Sequence, residues 1–306
     1  MAIYKGIEID AELAGVVRHM QGVEEYREVL GTLQGAWDTL TLLGQLSGTA
    51  AEMSSTREAF QRLTSDLLNH LGRETRNKVT ADLRAKAQNA IDILVRNLFE
   101  RTADIGFLAA DDDIREFLEE AGGDRGAIEA RFCEYVAKYS VYSDIVLFAP
   151  DGTIRARLRP GTVTESRAPL VAEALATPAL YVEHFGPADF LPTGPHLVYA
   201  YRVEDRQGDP LGVLALVFRL DDEMAGIFGK LIGAGDWALL ACVSPAGTVI
   251  ASSCAIQLPT GTILPPGTVD ASGHVLRFAG REYLAVASRT HGYQGYQGPG
   301  WLGLGL

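Results

Sequence analysis

The chain is 306 residues long, enough for about two domains, and 47% of it is hydrophobic, so a sizeable core can form. A formal net charge of −12 argues against a nucleic-acid backbone or an anionic membrane surface as the main partner. The three cysteines, Cys133, Cys242 and Cys254, are odd in number and widely spaced, which leaves no disulfide framework or metal knuckle; buried free thiols, preferred over a Cys242–Cys254 pair across a hairpin, point to a reducing compartment.

The start, Met1-Ala2-Ile3-Tyr4-Lys5-Gly6-Ile7-Glu8, lacks the basic-then-apolar pattern of a signal peptide and reads as a cytoplasmic one. Residues 1–75 read as a helical bundle. Leu13, Val16, Val17, Met20, Val23, Leu30 and Leu33 recur at helical spacing, and Trp37, Leu40, Leu42, Leu43 and Leu46 suggest a second helix. Ser54-Ser55-Thr56 caps a third, whose inward face is Phe60, Leu63, Leu67, Leu68 and Leu71 and which Gly72 ends.

Residues 76–109 carry the longest helical pattern. Neither Gly nor Pro interrupts Asn77 to Ile105, and Val79, Leu83, Ala87, Ala90, Ile91, Leu94, Leu98, Phe99 and Ile105 form one stripe. Its length points to a stalk that pairs with a second copy of the chain, giving a homodimer; the plainer alternative is a helix laid across a sheet. The acidic run Asp111-Asp112-Asp113 precedes a new helical face and reads as an N-cap rather than a metal site. Ala127 to Tyr139 is a further helix.

Two stretches then echo each other. Ser143 to Arg157 contains Pro150-Asp151-Gly152-Thr153-Ile154-Arg155-Ala156, and Leu240 to Ser252 contains Pro245-Ala246-Gly247-Thr248-Val249-Ile250-Ala251. Proline presets the second position of a tight turn, glycine supplies the left-handed one, and β-branched arms flank both, so each reads as a β-hairpin. The uncharged run Trp237 to Ile256 is two strands and their turn, with Pro245 and Gly247 at its middle, and not a membrane span. Leu170 to Ala176 is a short helix. Tyr181 to Pro195 reads as an aromatic loop stiffened by proline. His196–Val203 and Leu211–Leu220 are strands, Asp221 to Ile232 a helix, and His274–Ala279 with Glu282–Arg289 a hairpin. The Gly/Tyr-rich segment His291 to Trp301 is a turn that truncates the last strand.

A long helix, a hairpin-led α/β module, a linking helix and a second, smaller copy make an α+β chain of tandem PAS-like, antiparallel-sheet modules. Asn97 to Ala109, Tyr142 to Arg157, Tyr199-Ala200-Tyr201-Arg202-Val203 and Gly292 to Trp301 resemble the double Cache (dCache) sensor domains of bacterial chemoreceptors, over about residues 90–301. The resemblance implies a distal module at 110–235 and a proximal one at 236–306. It implies a small molecule bound in the distal module, a signalling dimer, and a chemotaxis partner or an output domain outside this chain. The Tyr/Arg-then-Trp-Tyr signature of the amino-acid-sensing subfamily has no counterpart, because no tryptophan lies between Trp37 and Trp237. The ligand class thus stays open among amino acids, organic acids, purines and amines.

No GxSxG, HExxH, Walker loop or GxGxxG after a strand is present, and the six histidines are scattered. Neither an enzyme nor a cofactor nor a metal is expected. Polar and aromatic groups concentrate in the first module. Tyr142 and Asp144 lie on its first strand, Tyr181, His184 and Asp189 on the aromatic loop, and Tyr199, Tyr201 and Arg202 on the next strand. Tyrosines supply both apolar wall and hydroxyl, Arg157 or Arg202 suits a carboxylate, and Asp144 or Asp189 suits an amine. These are the candidate ligand-binding residues, expected to converge on one sheet face. The alternative reading is a helical scaffold whose α/β modules are structural.

Overall fold

The computed structural model describes residues 1–4, 7–19, 29, 32–33, 35–40, 42–44, 50–120, 123–179 and 181–306. By its contacts the chain divides into Met1–Asp82 and Leu83–Leu306.

The first unit opens on a hairpin that the helical periodicity hid. Strand β1 (Ala2–Tyr4) pairs antiparallel with β2 (Ile7–Ile9). A 3₁₀ turn (Ala11–Leu13) and helix α1 (Ala14–His19) follow. Ile9, Leu13, Val17 and Leu68 are buried together. Asn69 on the long helix accepts a hydrogen bond from the Asp10 amide at 2.9 Å, and Arg73 pairs with Asp10 at 2.6 Å.

Helix α2 runs unbroken from Ala50 to Ala109, so the end expected at Gly72 does not occur. A helical glycine costs only about 1 kcal/mol relative to alanine. Here it permits close approach, because a Cβ at Gly72 would sit 3.2 Å from Val17 and 3.3 Å from Leu13. Of the face expected inward, Leu68 is buried but Leu63 and Leu67 are exposed, as are Leu33, Leu40, Leu42 and Leu43. Met20, Val23, Leu30 and Leu46 lie outside the described residues.

In the second unit, helices α3 (Asp112–Glu119) and α4 (Arg125–Lys138) lead to the first sheet. Asp111 caps α3, its side chain accepting from the Asp113 amide at 3.0 Å, as the acidic run foretold. The sheet comprises β3 (Tyr142–Phe148), β4 (Ile154–Arg157), β5 (Val182–Gly186), β6 (His196–Glu204) and β7 (Pro210–Phe218), with helix α5 (Pro169–Ala176) between β4 and β5. Helix α6 (Leu220–Leu231) leads to β8 (Leu240–Val243), β9 (Val249–Ser252), β10 (Ser272–Phe278), β11 (Arg281–Arg289) and β12 (Leu302–Gly305).

The strand orders are β4-β3-β7-β6-β5 and β9-β8-β12-β11-β10, one topology used twice and antiparallel throughout. The repeat reaches individual hydrogen bonds. The Ala149 amide donates to Thr153 and the Ser244 amide to Thr248, both at 2.8 Å. Gly152 and Gly247 take φ of +88° and +80° in these turns. Each turn is then strapped by the following loop, with Ser166 donating to the Gly152 carbonyl at 2.9 Å and Leu264 to that of Gly247 at 3.0 Å.

Two expectations are corrected here. The last strand is not truncated at Trp301: β12 lies in the middle of its sheet, between β11 and β8. The apolar stripe of α2 does not await a second copy either. Leu83, Ala87, Ala90, Ile91, Leu94 and Leu98 are buried by the chain's own sheets. The device is the alternation in β12. Its leucines, Leu302 and Leu304, point into the core on the far face, while its glycines meet the helix. A Cβ at Gly303 would lie 2.0 Å from the Ala87 carbonyl oxygen, so only glycine lets helix and strand backbones touch.

Candidate functional site

The first sheet has two faces of different character, and the sequence-predicted residues divide between them. One face lies against α2, α3 and α4 and holds Ile145, Leu147, Leu197, Tyr199, Leu214 and Leu216. The other lies under α5 and its flanking loops and holds Val146, Phe148, Val198, Ala200, Val213, Ala215 and Val217. Strand alternation makes the division, with one adjustment. A bulge between Tyr142 and Asp144 sends these two, expected on one face, to opposite ones.

On the helix face Tyr142 is fully buried. Its hydroxyl donates to Asp104 at 3.0 Å, and Arg101 holds the same carboxylate oxygen at 2.8 Å. Burial, and next the Asp104 charge, push the Tyr142 phenol far above its usual range. The ring packs against Tyr135 and Phe218. Tyr142 therefore ties sheet to helix. Tyr181, Tyr199 and Tyr201 share this face, with Tyr181 edge-on to Tyr199 at 6.0 Å.

Tyr199 stands opposite Glu183 in the β5–β6 register and is fully buried. Its hydroxyl lies beside Glu183 and Tyr296 yet makes no well-aligned hydrogen bond. Tyr296, from the Gly/Tyr-rich turn, donates to Glu183. Burial pushes the Glu183 carboxyl above its ordinary value, with the Tyr296 bond opposing.

On the α5 face Asp144 and Arg157 form a buried pair, side chains 5% and 9% exposed, with Oδ2 2.7 Å from Nε and 2.6 Å from Nη2. The other carboxylate oxygen accepts from the Ile145 and Arg159 amides at 3.0 and 3.1 Å. The pair is internally satisfied. Arg202 is likewise engaged, donating to the Leu175 and Thr177 carbonyls at the end of α5 and pairing with Glu204 at 2.5 Å. Asp189 accepts from Ser166 Oγ at 2.6 Å and the Arg167 amide at 2.7 Å, joining the loop before α5 to the loop after β5.

His184 differs from these. It sits on β5 opposite Val198, on the face that also carries Val146, Phe148 and Val217, and its Nε2 is buried with no hydrogen-bond partner. Buried polar atoms are rarely left so, because an orphan costs about 1–3 kcal/mol. The sequence reading placed His184 on a loop. It is on strand β5, whose successive side chains alternate between the two faces; the residue types Tyr-Val-Glu-His-Phe do not alternate between apolar and polar, so the sequence carries no period-two signal there. Glu183 and Tyr296 were not singled out; that same alternation places Glu183 directly before His184, facing the other way.

Among the described residues no group of three His, Cys, Asp or Glu side chains is placed to hold a metal ion, and no helix is long and apolar enough to cross a membrane.

No family model matches the chain, and no curated protein matches it by sequence. Solved structures do match its fold. The sensor domain of the V. cholerae histidine kinase DctB is 13% identical, with a TM-score of 0.51 over 76% of this chain and 97% of that one. The ligand-binding domain of the Pseudomonas fluorescens chemoreceptor CtaA, in complex with L-serine, is 13% identical, with a TM-score of 0.53 over 76% and 98%. That of the Campylobacter jejuni chemoreceptor Tlp3, in complex with L-valine, is 12% identical, with a TM-score of 0.52 over 77% and 93%. Each is a sensor or ligand-binding domain.

Proposed function

We propose that this chain, whose fold is the double Cache fold of those sensor domains, is a small-molecule-sensing module of a bacterial signal-transduction protein and not an enzyme. The ligand binds in the first module, on the sheet face beneath α5. The observation that carries this placement is the unpartnered, buried His184 Nε2 beside the apolar side chains of that face. A binding face of this kind needs an apolar wall and a few placed polar groups. Imidazole offers a donor or an acceptor according to tautomer, which suits the amine or carboxylate of an amino acid or a similarly small polar molecule. Ligand binding biases an equilibrium between two arrangements, to the extent that its affinity for them differs.

A second reading draws support from the saturation of Asp144, Arg157, Asp189 and Arg202. With these groups occupied internally, the modules serve as an interaction scaffold and take no small ligand. A thermal-shift screen against amino acids, organic acids, purines and amines separates the two. A ligand at 100 times its dissociation constant stabilises the folded state by about 2.7 kcal/mol. A hit that His184→Ala abolishes supports the sensor and its face. A hit that survives His184→Ala moves the site elsewhere, and no hit across the library favours the scaffold.

A further inference from the structure

Strand β5 is the edge of the first sheet, bonded to β6 alone. Consecutive residues on it point to opposite sides. His184 faces the proposed ligand side, while Glu183 and Phe185 face the other. Both of these grip one segment. Glu183 accepts from Tyr296, and Phe185 packs edge-on against Trp301 at 4.8 Å. The segment is the turn between β11 and β12, and Trp301 directly precedes β12, the middle strand of the second sheet.

The other end of the turn is fixed to the long helix. Asp92 accepts from Thr290 Oγ1 at 2.8 Å and from the His291 amide at 2.9 Å. Phe99 packs against Tyr293 at 5.3 Å and Tyr296 at 6.0 Å. The turn thus touches the helix at its start, the first sheet at Tyr296 and Trp301, and the second sheet through β12.

We propose that β5 is the transmission element of the module, and that the Glu183–Tyr296 contact carries a displacement on the His184 face into β12 and so into the second sheet. This rests on the sensor reading for its purpose. A strand held by one neighbour shifts at lower cost than one held by two. Its two faces deliver any shift to the ligand side and to the turn together.

The test is a double-mutant cycle that needs no ligand. Amide hydrogen exchange is followed in the segment 297–306 of the full chain for the wild type, His184→Ala, Tyr296→Phe and the double variant. Tyr296→Phe keeps the ring and removes only the hydroxyl. Where His184→Ala does not fold by circular dichroism, His184→Gln replaces it. The expected result is that the His184 substitution speeds exchange at β12 about fivefold in the wild-type background, because deleting the ring loosens the strand edge, and leaves it nearly unchanged in the Tyr296→Phe background. Equal acceleration in both backgrounds overturns the proposal, and so does no effect at β12 in the wild-type background. Absence of thermal-shift hits, by contrast, counts against the sensor reading and leaves this coupling standing.

Discussion

The Asp144–Arg157 pair separates a structural from a binding role for two of the charged residues among the candidate ligand groups. Asp144→Ala removes a carboxylate that answers two guanidinium nitrogens at 2.7 and 2.6 Å and two backbone amides at 3.0 and 3.1 Å. Arg157 cannot easily swing to water in response. The Gly161 backbone lies over it so closely that a Cβ there would be 2.4 Å from Nη1. The uncompensated charge therefore stays buried. Breaking a buried pair from one side costs about 3–5 kcal/mol, whereas replacing both partners by apolar residues is often near neutral. Urea unfolding followed by circular dichroism should show Asp144→Ala losing that amount, with Asp144→Leu/Arg157→Met recovering most of it. A loss below about 1 kcal/mol for the single variant, or a double variant as unstable as the single, would refute the argument and return the pair to the list of groups available to a ligand.

Three further outcomes follow from the geometry. Gly303→Ala, whose Cβ would meet the Ala87 carbonyl at 2.0 Å, should destabilise by at least about 1–3 kcal/mol in urea melts, while Gly226→Ala, with nothing within 4 Å on an exposed helix position, should be neutral or stabilise by about 0.5–1 kcal/mol. Tyr142→Phe should cost about 1 kcal/mol through the lost Asp104 bond and leave any ligand midpoint unchanged, since the hydroxyl faces the helix. Glu183 has its folded-state value raised by burial, so its contribution is present in full below the ordinary carboxyl value of 4.5 and is lost as pH rises through the higher folded value. Tyr181, Tyr199 and Tyr296, the titratable groups around it, are all shifted upward by burial and stay protonated. The Glu183 contribution should therefore weaken as pH rises above 4.5, and Glu183→Gln should remove that component of the slope in melts taken across the range.

Much of the fold was legible because its punctuation is chemical. The two Pro-x-Gly-Thr turns need the left-handed glycines seen at Gly152 and Gly247, and the acidic run at 111–113 needs the cap seen at Asp111. The errors share a cause: local pattern does not say what covers a face. The stripe from Leu83 to Leu98 is apolar whether a second copy or the chain's own sheets lie on it, and only the Gly-x-Gly of β12 discriminates. The candidate site was legible as composition but not as geometry. The bulge at Tyr142 divides residues that simple alternation would keep together. Saturation of Asp144, Arg157 and Arg202 depends on backbone groups that no spacing reveals.

The duplicated topology supplies its own control for where a ligand belongs. Aligned on Pro150 and Pro245, the first hairpin's Asp144 corresponds to Leu239 and its Arg157 to Ser252. In the second module the face equivalent to the α5 side is built from Leu239, Ala241, Val243, Val249, Leu302 and Leu304, with Leu258 and Leu264 closing it. Ser252 spends its hydroxyl on the Leu258 carbonyl at 2.6 Å. The same fold is therefore built with Leu239 and Ser252 in place of a buried ion pair, and the Asp144–Arg157 pair of the first module is not demanded by the architecture. Burying such groups costs free energy unless they are satisfied, so a duplicated module that keeps them on one copy alone carries them for a reason outside folding. The charged pair and the Ser166–Asp189 link are satisfied by protein, and they stiffen the loops over the sheet. His184 Nε2 is the one left open, which is why the proposed ligand contact is placed on it and on the first sheet rather than the second.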